Sequence, residues 1–302
     1  MLDDVSDLVF RPALLAAGVT DDELRRSRAQ QRLTAVRPGA YVPSDDPRLD
    51  DAVAHHALAV RATARRLAAD TVVSHVSAAV LHGLVLWGVP LDRVHVTRDR
   101  PSGGRCTALR HLHTAAIDSG DLTEVDGIPV TTVARTLADL ACTQPYEPAL
   151  VVADAALHRH RTTAAAFADA VARAAGRRGS PPARRVLAAA DLRSESPGET
   201  RSRIAIARAG LPAPELQHEV PEIGARTDFY WPEFRTVGEF DGKVKYGRGL
   251  RPGQSAGEAV FAEKRREDAL RDLGFQVVRW TWDELRPFDV VAERLQRAFA
   301  RA

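Results

Sequence analysis

Near the C-terminal end, three acids and a lysine stand at spacings that could serve hydrolytic chemistry. Asp228 lies in one strand-like stretch, Ala225 to Tyr230, while Glu239, Asp241 and Lys243 recur at every second residue from the next, Thr236 to Phe240. Side chains alternate across a strand, so residues two apart share a face. With a turn centred at Pro232 and Glu233, Asp228 lies opposite Val237 and diagonal to Glu239, about 7 to 8 Å away at the backbone. Carboxylates crowded on one face repel unless a cation lies between them, and all-oxygen donors suit Mg2+ or Mn2+. Such an ion polarises a phosphate and acidifies a bound water. Lysine suits the adjacent role, because its compact ammonium can orient water and its pKa moves on burial. Only three of the 42 basic residues are lysine, so Lys243 departs from a strong arginine habit.

A second chemistry-bearing group lies near the N-terminus. Arg25, Arg26, Arg28, Arg32 and Arg37 fall in a stretch from Leu24 to Ser44 that holds no acid. The T-x-x-E box Thr20 to Glu23 starts a helix near Asp21, expected to run to about Leu33. Val36 to Val42, with Pro38 and Gly39, reads as a hairpin-like tip. A basic helix followed by an arginine-bearing loop outlines a winged helix-turn-helix, which can set the helix in the major groove and an arginine on phosphate. The bland alternative is a solvated helix face. The histidines offer less: His111 and His113, or His75 and His82, can share faces, but no thiol or acid stands at ligand spacing. Trp280 and Trp282 read as packing residues.

These groups must be positioned by elements of mixed α/β character. The chain divides into 1–48, 49–192 and 193–302. In the middle segment, Ser74 caps a helix through Leu81 to Gly83, and 93–97 and 128–130 read as strands. Helices are expected at 132–142, 147–158 and 162–175, and Gly176 to Pro182 as a loop or linker. In the last segment, Ser196-Pro197-Gly198-Glu199 opens a helix that stops at Gly210. Strands at 216–220, 225–230 and 236–240, a helix at 258–273 and a strand at 275–280 complete the order αβββαβ. Glu199 has a structural reason to be present, as the third residue of its capping box.

Composition bounds these readings. Of 302 residues, 45% are apolar and 27% charged, which is globular usage. A net charge of +2 makes any nucleic-acid argument a local one. Cys106 and Cys142 belong to no paired motif, which speaks against a disulfide framework or thiolate zinc site. With no apolar run long enough to span a bilayer and an acidic start, a cytoplasmic location is expected.

Asp228 followed by Glu239-Phe240-Asp241-Gly242-Lys243, on this order of elements, resembles the PD-(D/E)XK nucleases. Ser196 to Glu199, Asp228-Phe229, Glu263 to Arg266 and Val278 to Trp280 make the segment similar to very-short-patch-repair-endonuclease-like domains. That resemblance implies a restriction-endonuclease-like core and a Mg2+-dependent endodeoxyribonuclease. By it, Glu199 is an acid from the first helix, Asp228 the central metal ligand, and Glu239 or Asp241 the second. The repair endonuclease carries histidine where Asp241 falls, and Thr227 replaces the signature proline. Further forward, Arg37 to Val42, Ser74 to Ala79 and Ala134 to Asp139 resemble AbiEi antitoxins of type IV toxin–antitoxin systems. That implies transcriptional repression through a winged helix, with DNA and a cognate toxin as partners. The two resemblances imply either a DNA-binding nuclease in phage defence or DNA repair, or a non-enzymatic repressor with a degenerate nuclease fold.

Overall fold

The computed structural model describes residues 8–242 and 256–301, with side chains for 8–242 and 264–301. No helix among them is long and apolar enough to cross a membrane. The chain is mixed α and β and forms two compact units, one of Met1–Val152 with Arg161–Ala188, the other of Ala153–His160 with Ala189–Ala302.

The first unit opens with β1 (Val9–Phe10), α1 (Arg11–Ala16), α2 (Asp21–Ala29), β2 (Leu33–Arg37) and β3 (Ala40–Pro43). The strands form an antiparallel sheet with β3 in the middle. The capping box is formed, with the Thr20 hydroxyl accepting from the Glu23 amide at 3.2 Å and the Glu23 carboxylate accepting from the Thr20 amide at 2.8 Å. Helix α2 ends at Ala29, short of the expected Leu33. Gln31 takes a left-handed turn at φ 53°, and the Arg32 carbonyl accepts from the Ser44 amide.

Next come α3 (Ala52–Ala64), β4 (Thr71–Val73), α4 (His75–Leu81), β5 (Val94–Arg98), β6 (Arg105–Cys106), β7 (Arg110–Thr114), β8 (Leu122–Val125) and β9 (Ile128–Thr131). They build a six-stranded sheet in the order β6-β7-β5-β4-β9-β8. Helices α5 (Val133–Thr143), α6 (Tyr146–His158), α7 (Ala164–Arg173) and α8 (Ser180–Ala189) follow. Part of the expected linker is therefore the first turn of α8. Pro181 and Pro182 sit where the missing amide protons have no helical partner to lose. Val73, Val94, Val96 and Val130 bury one side of the sheet against α3 and α4 residues such as Leu58 and Leu81.

The second unit contains α9 (Pro197–Arg208), β10 (Glu215–Val220), β11 (Ala225–Trp231), β12 (Thr236–Asp241), α10 (Ala256–Asp272), β13 (Gln276–Thr281) and α11 (Asp289–Phe299). The order αβββαβ is present, followed by a helix the sequence reading did not include. The sheet runs β10-β11-β12-β13. Its first three strands are antiparallel, and β12 and β13 are parallel, so a crossover must carry the chain back between them, and α10 lies in that connection. One face buries Phe229, Trp231 and Trp280 with Ile206 of α9 and Val291 and Leu295 of α11. On the other, Val237 packs with Leu270 of α10, flanked by Tyr230 and Leu273.

Candidate functional site

The β11–β12 hairpin sets the acids. Its turn is longer than the expected one centred at Pro232 and Glu233. Pro232–Phe234 form a 3-10 turn, and Arg235 is left-handed at φ 39°. Phe229 consequently pairs with Gly238 and Tyr230 with Val237. Continuing that register by one residue sets Asp228 directly across from Glu239, not across from Val237 as the sequence suggested. The slip is by two residues, so no side chain changes face. On the other flank, Leu216 pairs with Phe229 and His218 with Thr227, which brings Gln217 of β10 beside Asp228.

Each acid has defined partners. Asp228 accepts from the Phe240 amide at 2.8 Å, which ties its carboxylate to β12. Glu239 is 6% exposed. Its Oε2 accepts from Arg266 of α10 at 2.7 Å, while its buried Oε1 has no hydrogen-bond partner among the described residues. Burial, and then the neighbouring Asp228 charge, push the Glu239 carboxyl up to about 7 against the opposing pull of Arg266. Glu199 is buried near the start of α9. It accepts from the Glu195 amide at 2.9 Å, the Ser196 hydroxyl at 2.7 Å and the Gln217 side-chain amide at 2.8 Å. Burial raises its pKa, the hydrogen bonds from Glu195 and Ser196 oppose the shift, and the charge of Asp228 adds to it.

Capping accounts for part of this geometry, because the Ser196 hydroxyl also accepts from the Glu199 amide at 3.2 Å. The contact with Gln217 extends beyond the helix and turns Glu199 toward the Asp228 neighbourhood. Asp241, half-buried, ends β12 beside Thr281 of β13. Lys243 lies outside the described residues. Arg266 and Gln217 were missed from sequence, since one reaches the site from a distant helix and the other through a strand irregularity at φ 56°.

The arginines of the basic stretch divide. Arg25, Arg26, Arg28 and Arg32 are exposed. Arg25 pairs with Asp22 at 2.7 Å, and Arg28 and Arg32 flank a hollow with Gln31 and Ser44. Arg37 is different. It is half-buried, donates to the Leu109 carbonyl at 3.3 Å, and has its pKa lowered by burial.

No protein-family model matches the sequence. Two curated relatives, uncharacterized protein MT2308 and uncharacterized protein Rv2248, both from Mycobacterium tuberculosis, are 33% identical over 168 residues, 55% of this chain. The chain spans only 59% of the length of each. Among solved structures, the crystal structure of the RV2827C protein from Mycobacterium tuberculosis is similar at a TM-score of 0.39 and 17% identity, over 66% of this chain and 76% of that one.

Chemically, the acid group offers oxygen donors, one of them buried and unpartnered among the described residues, which fits a hard divalent cation. It also offers a carboxyl whose pKa matches neutral pH, as acid–base chemistry requires. The raised pKa has a thermodynamic consequence. The folded chain holds the Glu239 proton more tightly than the unfolded chain, whose value is near 4.5, so this contribution is full below about 4.5 and is lost as pH rises through about 7. Comparing Glu239→Gln with the parent in urea titrations from pH 5 to 8, the stability difference should change by a few kcal/mol across the window. A pH-independent difference would show that Glu239 titrates normally. Asp154, pushed by burial to about 7, gives both proteins a slope of the same sign and cancels in the comparison.

Proposed function

We propose that this is a DNA-binding protein whose second unit hydrolyses phosphodiesters with Mg2+ or Mn2+ on a restriction-endonuclease-like core. The observation that carries the reading is the buried Glu239, whose Oε1 has no hydrogen-bond partner among the described residues, on the strand beside the one that bears Asp228. Carboxylates are rarely buried without compensation, and a cation supplies it. Asp228 and Glu239, with Asp241 or Glu199 completing the oxygen set, would hold the ion. When bound, it would polarise the phosphate and acidify water. Asp228 is oriented for this by the Phe240 amide, and Glu239 can hold or release a proton near neutral pH. Arg25, Arg26, Arg28 and Arg32 supply exposed charge for the DNA backbone.

A specific observation favours the alternative of a non-enzymatic repressor with a toxin or other protein partner. Arg266 already neutralises Glu239, where a cation would otherwise act. Among the described residues, moreover, the group with three ligand atoms within 4.8 Å of one another consists of histidines and not of these carboxylates.

Incubating the full chain with supercoiled plasmid and single-stranded DNA, with Mg2+, Mn2+ or chelator, separates the two. Metal-dependent cleavage is expected, with a loss of at least about a hundredfold in Asp228→Asn, the order of effect seen when one key charge-stabilising group is removed. Absence of cleavage by the parent on every substrate would overturn the nuclease reading. Salt-dependent DNA binding without cleavage would leave the repressor in its place.

A further inference from the structure

The first unit contains a histidine group that the nuclease reading does not use. His95 lies on β5 and His111 and His113 on the parallel β7, with His95 across from His111 and Thr97 across from His113. The two-residue period places all three imidazoles on one face of the sheet. His75, the first residue of α4, meets them there. Its ring stacks on that of His113 at 3.7 Å between centroids, and Nδ1 of His95 lies 3.0 Å from Nε2 of His113. One nitrogen from each of His75, His95 and His113 lies within 4.8 Å of the other two.

We propose that His75, His95 and His113 form a site for a borderline d-block cation of the Zn2+ kind, with its remaining coordination position facing the cavity lined by Cys142 and Arg177.

The geometry is close to what such a cation needs. With Zn–N bonds of about 2.0 to 2.1 Å, tetrahedral ligands stand about 3.3 Å apart. The His95–His113 pair must therefore open by a few tenths of an ångström, and the stacked His75 and His113 rings must splay. The trio contains no carboxylate, which disfavours Mg2+ and Ca2+ and makes the site chemically distinct from the acids of the second unit. A supporting hydrogen bond is in place, since Nδ1 of His75 lies 2.9 Å from the Ser74 hydroxyl, which accepts from Thr97 at 2.7 Å. Such contacts fix the ring and leave the other nitrogen to the metal.

Two further features of the group are costly. His75 is fully buried yet left-handed at φ 52°, a conformation that costs a non-glycine residue about 1 to 3 kcal/mol. The imidazoles are also desolvated against one another. Burial first, and neighbouring imidazoles second, lower His95 to about 4 and His113 to about 2. The cavity beside the trio has a volume of about 780 Å3, and Arg177 and Arg178 on its wall favour an anionic fourth ligand such as hydroxide, phosphate or carboxylate.

The test uses the full chain, stripped with chelator and titrated with Co2+ alone, then with Zn2+ as competitor. One tetrahedral Co2+ per chain, counted from its intense visible absorption and displaced by Zn2+, is expected. His95→Ala and His113→Gln should each weaken binding by more than about a hundredfold, above the range for outer-shell losses, and Ser74→Ala by about tenfold. Asp228→Asn should leave it unchanged. Circular dichroism confirms that each variant is folded, and having variants on two strands keeps the test open if one fails. No tetrahedral band in the parent would overturn the site, as would a band surviving in both folded ligand variants. A band lost in Asp228→Asn would overturn it as well, by placing the metal among the acids of the second unit.

Discussion

Arg135→Leu should destabilise the first unit by about 3 to 5 kcal/mol, the range for breaking a buried ion pair from one side. Arg135 on α5 is 3% exposed and bridges two acids that are more buried still. It donates to Asp121 at 2.7 Å and to Asp139, one helical turn along, at 3.0 Å. A third hydrogen bond reaches the Ala116 carbonyl at 3.1 Å. Leucine would fill much of the volume while leaving both carboxylates in a low-dielectric interior. Each keeps one other cation, Arg173 on Asp121 and Arg177 on Asp139, but those side chains are 45% and 30% exposed. Water screens them, so they cannot replace a buried bidentate neighbour. Arg173→Ala is accordingly expected to cost under about 1 kcal/mol. Chemical denaturation of the three proteins at one pH checks the contrast. Equal losses in Arg135→Leu and Arg173→Ala would show that the charge sits at the surface energetically despite its geometry.

That network also explains part of what the sequence displayed. Ala134 to Asp139 was conspicuous as a motif but gave no hint of its role. Arg135 and Asp139 are four apart on a helix, a spacing any ion pair adopts, and the third member, Asp121, precedes a strand in a different part of the chain. Similar logic governs the histidines. His111 and His113 could be placed on one face by their period of two. Their meeting with His95 depends on the pairing of β5 with β7, and their meeting with His75 on where α4 begins. Sequence spacing pointed instead to His75 with His82, whose ring contacts the Thr131 carbonyl.

Local rules carried further in the second unit. The Ser196 cap, the alternation along β11 and β12 and the glycine closing α10 are all short-range signals, and the resulting elements follow the expected order. The hairpin register was misread because Pro232 suggested a two-residue turn, whereas the chain spends four residues, Pro232 to Arg235, before pairing resumes. Parity survived that error, so the shared face of Asp228 and Glu239 was legible although their opposition was not. Arg266 was hidden for another reason. In a chain with so many arginines, nothing in the sequence of α10 distinguishes the one that reaches Glu239 from its neighbour Arg265.

The acids keep their places only while the opposite face of the same sheet is filled, and Trp280 fills its centre. It is fully buried on β13, stacks on Phe229 at 5.3 Å and meets Phe288 edge-on at 6.1 Å. Its indole N–H donates to the Ser202 hydroxyl of α9 at 2.8 Å, and its ring lies so close over Gly238 that a Cβ there would approach it to 2.6 Å. One residue thus joins α9, which carries Glu199, to β12, which carries Glu239. Trp280→Ala should cost about 3 to 5 kcal/mol through lost burial and the cavity left behind, and it removes the indole donor to Ser202, whose hydroxyl keeps its bond to the Gly198 carbonyl. Because Gly238 has no side chain to move into the gap, collapse can relieve little of that cost. Trp280→Phe keeps most of the volume but loses the N–H donor, and should cost about half as much. Unfolding midpoints in guanidinium chloride read both. If Trp280→Ala proved as stable as Trp280→Phe, α9 and the sheet would not be joined through this indole, and the orientation of Glu199 would have to come from its capping contacts alone.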